Sequence, residues 1–142
     1  MGDLNKGIER FAALSREMRM QMLLQHAKRF PDLPPELAEA RDAGLNRVEE
    51  CQTPLFLWVG VSDGAVHLHA DAPREAPTVR GFMGFLMENL EGASVEEVTG
   101  LPNDLLERMG LGEVLGVVRT RGLSAAIERV RRETARAAAQ GG

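Results

Sequence analysis

The sequence predicts an α+β fold: a small antiparallel sheet of about three strands packed against several helices, with long N-terminal and C-terminal helices. Three observations carry this. Apolar residues recur at intervals of three and four over residues 3 to 29, and again over about 122 to 138. An apolar run from Leu55 to Val61 is followed by the turn Ser62-Asp63-Gly64 and an alternating segment, residues 65 to 70. Helical spacing then returns over Thr78 to Leu90.

In the N-terminal helix, Asp3 to Arg29, the stripe is Leu4, Ile8, Phe11, Leu14, Met18 and Met22, and Met18, Met20 and Met22 are read as core filling. Phe30-Pro31-Asp32 stops it. Leu33-Pro34-Pro35 starts a short helical run, Glu36 to Arg41, because proline suits the first helical turn; Asp42, Ala43 and Gly44 end it. Leu45 to Val48 is expected as a short edge strand, and Pro54 marks where the next strand can begin. That strand is apolar on both alternating sets, which predicts a central position with both faces covered.

Past the hairpin, residues 71 to 77 read as an irregular loop. In the helix that follows, Gly81 and Gly84 are expected at a close packing of helix on strand, since glycine in a helix interior costs about 1 kcal/mol. Ser94-Val95-Glu96-Glu97 matches a capping box, and a further short helix is expected from Asn103 or Asp104 through Met109. Gly110, Gly112 and Gly116 precede a segment, Val117 to Gly122, expected to be an exposed turn bearing Arg119 and Arg121. In the last helix Leu123, Ile127, Val130 and Thr134 point inward, while Arg129, Arg131, Arg132 and Arg136 are expected largely outward, where cations suit a helix C-terminus.

At 142 residues the chain suits one domain, residues 1–142. A hydrophobic fraction of 44% and a charged fraction of 27% argue against disordered and fibrous classes. Net charge is −4, and although 15 of the 17 basic residues are Arg, no run of like charge can track phosphates, so nucleic acid is not an expected partner. The first thirty residues hold no apolar stretch of signal-peptide length, and no segment approaches the ~20 apolar residues that cross a bilayer. A reducing, cytoplasmic setting is expected, with no membrane partner.

Cys51 is the only cysteine and cannot form an internal disulfide. It stands where a polar loop with Arg47, Glu49 and Glu50 meets the apolar strand, a position that can shelter a thiol and still present it. From the residues alone, structural burial and thiol chemistry remain open. His67 and His69 share one side of a strand, but no Cys, Asp or Glu nearby completes a metal set. Paired catalytic carboxylates, a phosphate-cradling glycine loop and a nucleophile elbow are all absent, so a self-contained active site is poorly supported.

The run Asn46-Arg47-Val48-Glu49-Glu50-Cys51-Gln52-Thr53 resembles the acceptor-cysteine motif of the SufE family of sulfur-acceptor proteins, an Asn-x-(Val/Ile)-x-Gly-Cys-x-Ser-like loop before a tryptophan-bearing strand. Asp71 after the hairpin, Val79-Arg80-Gly81 before a long apolar helix and Arg119-Thr120-Arg121-Gly122-Leu123 before the last helix extend the likeness over roughly residues 10 to 135. Glu50 replaces the usual glycine, Thr53 the serine-like residue, and Phe56 stands where a tryptophan is frequent, the strand's own being Trp58. Glu50 is expected to make positive φ costlier and, as a like charge, to oppose thiolate formation.

The resemblance implies that Cys51 takes the terminal sulfur of a persulfide from a cysteine desulfurase and passes it on to an iron–sulfur scaffold complex. It implies supporting roles for Asn46, Gln52 and Arg119. No cofactor is expected on this chain; pyridoxal phosphate (PLP) belongs to the desulfurase, which this protein would activate rather than act alone. The competing readings are a regulatory interaction module of a desulfurase with Cys51 merely structural, and a thiol peroxidase or redox sensor, which the lack of a resolving cysteine disfavours.

Overall fold

A two-residue turn sets the sheet. Asp63 and Gly64 both have positive φ, 53° and 78°, the turn geometry whose twist matches that of paired strands. It joins β1 (Phe56–Ser62) to β2 (Ala65–Asp71) in antiparallel register, from Ser62 opposite Ala65 to Phe56 opposite Asp71. The computed structural model describes residues 2 to 141. Among these the other elements are helices: α1 (Gly2–Ala13), α2 (Arg16–Lys28), α3 (Pro35–Asp42), α4 (Pro77–Leu90), α5 (Val95–Thr99), α6 (Leu105–Arg108) and α7 (Gly112–Ala139). The fold is α+β, as expected, but with two strands rather than about three.

The missing strand is the one expected at Leu45 to Val48, which reduces to a single bridge between Arg47 and Phe56. Gly44 and Asn46 both take positive φ, 82° and 63°, so this segment cannot stay extended. A second lone bridge, Ala65 to Ser94, closes the far edge. β1 is therefore not a central strand. Phe56 and Leu57 are buried, but from Trp58 to Val61 it is only half-buried.

The N-terminal region is two helices, not one. Ser15 is extended and its hydroxyl accepts from Met18 N at 3.2 Å, which starts a new helix after Leu14. Arg19 fastens the joint by donating to the carbonyls of Phe11 (2.9 Å), Ala12 (2.7 Å) and Gly110 (3.2 Å). Leu4, Ile8 and Phe11 join the core, but the break ends the expected stripe: Met18 is 47% exposed, and α2 buries Leu23 and His26 instead.

Proline at the first turn of α4 starts that helix one residue before the expected Thr78. Its glycines serve helix on helix, not helix on strand. A Cβ on Gly81 would stand 2.0 Å from the Leu23 carbonyl oxygen, and one on Gly84 3.1 Å from that of His26. The capping box before α5 is formed, Ser94 Oγ accepting from Glu97 N and Glu97 Oε1 from Ser94 N.

The segment Val117 to Gly122, expected as a turn, is helical and belongs to α7. Gly116 alone leaves helical geometry, at φ 81° and ψ 168°, and kinks the element. Two of the arginines expected outward point back into the protein: Arg129 Nη1 donates to the Arg47 carbonyl at 2.6 Å, and Arg131 Nη1 to that of Leu101 at 2.5 Å. Each satisfies a carbonyl that a loop leaves over. Among the described residues no helix is long and apolar enough to cross a membrane.

Candidate functional site

The loop carrying Cys51 is closed at its base by pairing to the start of β1. Val48 N donates to the Leu55 carbonyl at 2.8 Å, Leu57 N to the Asn46 carbonyl at 3.1 Å, and Asn46 Nδ2 to the Leu57 carbonyl at 3.0 Å. Val48 and Leu55 are wholly buried, so the base is fixed in the core. Between them Glu49, Glu50, Gln52 and Pro54 are exposed and Thr53 is half-buried. Only Cys51, at 4% exposure, is buried there, so one side chain fastens the tip of the loop.

Helix α7 is the floor beneath it. A Cβ on Gly122 would lie 2.9 Å from Cys51 Sγ and 3.0 Å from its Cα, so the thiol rests where only glycine leaves room. Toward solvent, Cys51, Gln52 and Thr53 share a cavity of about 430 Å³ with Leu115, Gly116, Val117, Val118 and Arg119. The φ/ψ of Gly116 lie in a region that essentially only glycine occupies, and the helix resumes at Val117 with its first turn on the cavity. The partial positive charge of a helix start favours an anion there. Val117 and Val118 are 75% and 55% exposed and form an apolar lip.

Burial pushes the Cys51 thiol above its ordinary pKa; a backbone hydrogen bond from Thr53 and the charge of Arg47 oppose this without cancelling it. The resting group is thus a protonated, shielded thiol. Glu50, expected to restrain the thiol, is exposed and is not among the groups that move it, nor does it take positive φ; Asn46 supplies that conformation instead.

Of the residues singled out in the sequence, Gln52 and Arg119 line the cavity with Cys51, while Asn46 does not. Asn46 shapes the loop base. Arg119 is exposed, and its Nη1 lies 3.4 Å from the Leu115 carbonyl of its own helix. Arg47, Gly122 and Arg129 carry no site role in the sequence reading. A signal existed: Arg119, Gly122, Ala126 and Arg129 recur at intervals of three and four, one face of a helix.

The landmarks Asp71 and Arg80 lie in a separate cluster. Asp71 accepts from Arg41 Nη1 at 2.7 Å and Arg80 Nη1 at 3.4 Å, and the Arg80 guanidinium stacks 4.1 Å above the Phe30 ring, so α3, β2 and α4 are tied together. His67 bonds to Glu91 (2.6 Å) and Ser62 (2.8 Å), and His69 is exposed. Among the described residues no group of three or more His, Cys, Asp or Glu is arranged to hold a metal.

Fold and site together define an α+β protein that holds its one thiol in shelter on a loop anchored at both ends. The chain belongs to the SufE family: the family's profile, described as an Fe-S metabolism associated domain, matches residues 5–134. An uncharacterized SufE-like protein of Mycobacterium tuberculosis is 38% identical over 123 residues, 86% of this chain and 84% of that protein. Another, of Synechocystis, is 29% identical over 110 residues, 77% of this chain and 65% of its own length. The solution structure of a hypothetical protein from Thermus thermophilus superimposes with a TM-score of 0.82 at 39% identity, covering 96% of each chain. Membership places the protein in iron–sulfur metabolism.

Proposed function

We propose that the protein accepts sulfur on Cys51 from a cysteine desulfurase and delivers it for iron–sulfur cluster assembly. The observation that carries this is the loop: Cys51 alone pins a tip whose other residues are exposed or half-buried, beside a cavity open to a partner. In the transfer, the Cys51 thiolate attacks the terminal sulfur of the donor's persulfide. A new sulfur–sulfur bond forms on Cys51, the donor's breaks, and the donor cysteine leaves as its thiolate, with no net oxidation.

Each feature of the site has a place in this scheme. Burial keeps the free thiol protonated and a carried persulfide away from reductants between partners. Arg119 and the helix start at Val117 line the cavity mouth and supply positive charge there for a thiolate once the tip presents it to a partner. PLP, which generates the persulfide, belongs to the desulfurase, and the partner that receives the sulfur is an iron–sulfur scaffold complex. The cytoplasm is the compartment in which such a thiol stays reduced.

The close seat of Cys51 on Gly122 favours a second reading, a regulatory module that binds a desulfurase while Cys51 only packs. One experiment separates the two. After incubation with a desulfurase, PLP and cysteine, the intact protein should be heavier by one or more sulfur atoms, removable by thiol reductant. Cys51→Ser should stay at its own mass, lose stimulation of the desulfurase and remain folded. Stimulation persisting in a folded Cys51→Ser protein would establish the regulatory reading and remove the acceptor role.

A further inference from the structure

The helix beneath the thiol also holds the base of its loop. Arg119, Gly122, Ala126 and Arg129 lie on one face of α7, with Gly122 and Ala126 buried and an arginine at either end. Arg119 reaches the cavity, and Arg129 reaches the other limb of the loop. In the bridge between Arg47 and Phe56 both hydrogen bonds are made by neighbours: Leu57 N donates to the Asn46 carbonyl and Val48 N to the Leu55 carbonyl. The carbonyl of Arg47 therefore points away from β1. Arg129 Nη1 supplies its donor at 2.6 Å, across 82 residues of chain.

We propose that Arg129 is a positioning residue for Cys51: by gripping the Arg47 carbonyl it holds the incoming limb of the loop on α7, keeps the thiol seated on Gly122, and sets how often the tip leaves that shelter. The two contacts are seven residues apart on α7, about two helical turns, so one rigid element fixes both the limb and the tip. The same grip holds the backbone of Arg47, the residue whose charge acts on the thiol. This role rests on Cys51 being the sulfur acceptor, but it concerns presentation of the thiol and is measurable without sulfur transfer.

The test compares Arg129→Gln and Arg129→Lys with Arg131→Gln. Arg131 makes a matching bond to the Leu101 carbonyl on the same helix, away from the cysteine loop. For each folded protein the rate of Cys51 alkylation by iodoacetamide is followed across pH together with the thermal midpoint, and sulfur uptake from a desulfurase is read separately by intact mass. Arg129→Gln should speed alkylation roughly three- to tenfold, the range that loss of one net hydrogen bond permits. Its pH midpoint should move down toward that of free cysteine as the thiol becomes hydrated. Arg129→Lys, which keeps one donor but not the planar fork, should fall between, and serves as the test should the glutamine variant fail to fold. Arg131→Gln should match the wild-type rate even if its thermal midpoint drops. An unchanged rate in the Arg129 variants, or an equal rise in Arg131→Gln, overturns the proposal. If alkylation responds as expected while the wild-type protein takes up no sulfur, the acceptor reading fails and the positioning role of Arg129 stands.

Discussion

Cys51 Sγ occupies the space where the side chain of any residue other than glycine at position 122 would begin: a Cβ there would lie 2.9 Å from the sulfur, 3.0 Å from Cys51 Cα and 3.1 Å from its Cβ. All three atoms belong to the tip of the cysteine loop, so neither a rotamer change nor a small side-chain shift relieves the contact. Gly122 is what lets α7 close over the thiol.

Gly122→Ala should therefore push the loop tip outward. The overpacking costs about 1 to 3 kcal/mol, offset by up to about 1 kcal/mol from the better helix propensity of alanine. Cys51 should be alkylated faster in the folded protein, as measured by mass spectrometry after timed quenching. An alanine variant with wild-type stability and thiol reactivity would mean that α7 yields and that Gly122 does not govern shelter.

The thiol should titrate above free cysteine, because burial dominates its environment. Arg47→Gln removes the one charge that lowers it and should raise the alkylation midpoint further, while Glu50→Gln should leave it in place. The folded state keeps its proton where the unfolded chain has lost it. Stability therefore declines as pH rises from the ordinary thiol range through the raised folded value, and Cys51→Ser should remove that alkaline decline. Thermal midpoints over an alkaline pH series would show it.

Gly81→Ala should be the most damaging of the glycine substitutions in α4. The atom it would meet, 2.0 Å away, is the backbone carbonyl of Leu23, so α2 and α4 must separate. A loss of about 3 kcal/mol is expected in urea unfolding. Gly84→Ala, at 3.1 Å from the His26 carbonyl, should cost clearly less.

A second junction of α2 and α4 is polar. His26, stacked on Phe11 and edge-on to Phe85, places Nδ1 2.7 Å from Glu88 Oε2, and Arg29 Nη2 lies 3.2 Å from Oε1 of the same carboxylate. With its proton directed at Glu88, the His26 nitrogen cannot also accept from Arg29. Burial raises the pKa of Glu88, but bonding to His26 and Arg29 and their charge outweigh it and hold the carboxyl below its usual range. Its contribution is present above the ordinary Glu value and lost as pH falls through the depressed one. Glu88→Gln should lower the thermal midpoint at neutral pH, and the difference from wild type should vanish in acid. A difference independent of pH would assign the effect to packing instead.

What the sequence determined by itself was whatever depends on near neighbours in the chain. The hairpin followed from Ser62-Asp63-Gly64, because two positive-φ residues in a row dictate one kind of turn. The capping box at Ser94 and Glu97 lay within four residues, and α4 was legible because its apolar residues recur at helical spacing. The motif around Cys51 marked the candidate loop for the same reason: it is a local object, closed over itself between Asn46 and Leu57.

Tertiary structure decided which of these local options won. The stripe from Leu4 to Met22 allowed one long helix, yet the Ser15 cap and the three bonds of Arg19, one of them to Gly110 far along the chain, made two. The spacing of Gly81 and Gly84 announced a close contact without naming the partner, which proved to be α2. Glu50 adjoins Cys51 in sequence but is exposed, whereas Gly122, Arg129 and the cavity-lining residues 115 to 119 come from more than sixty positions away. Sequence adjacency fixes what a residue can do, but the environment of a buried thiol is set by whichever atoms exclude water from it, and those are assembled only when α7 folds back across the loop.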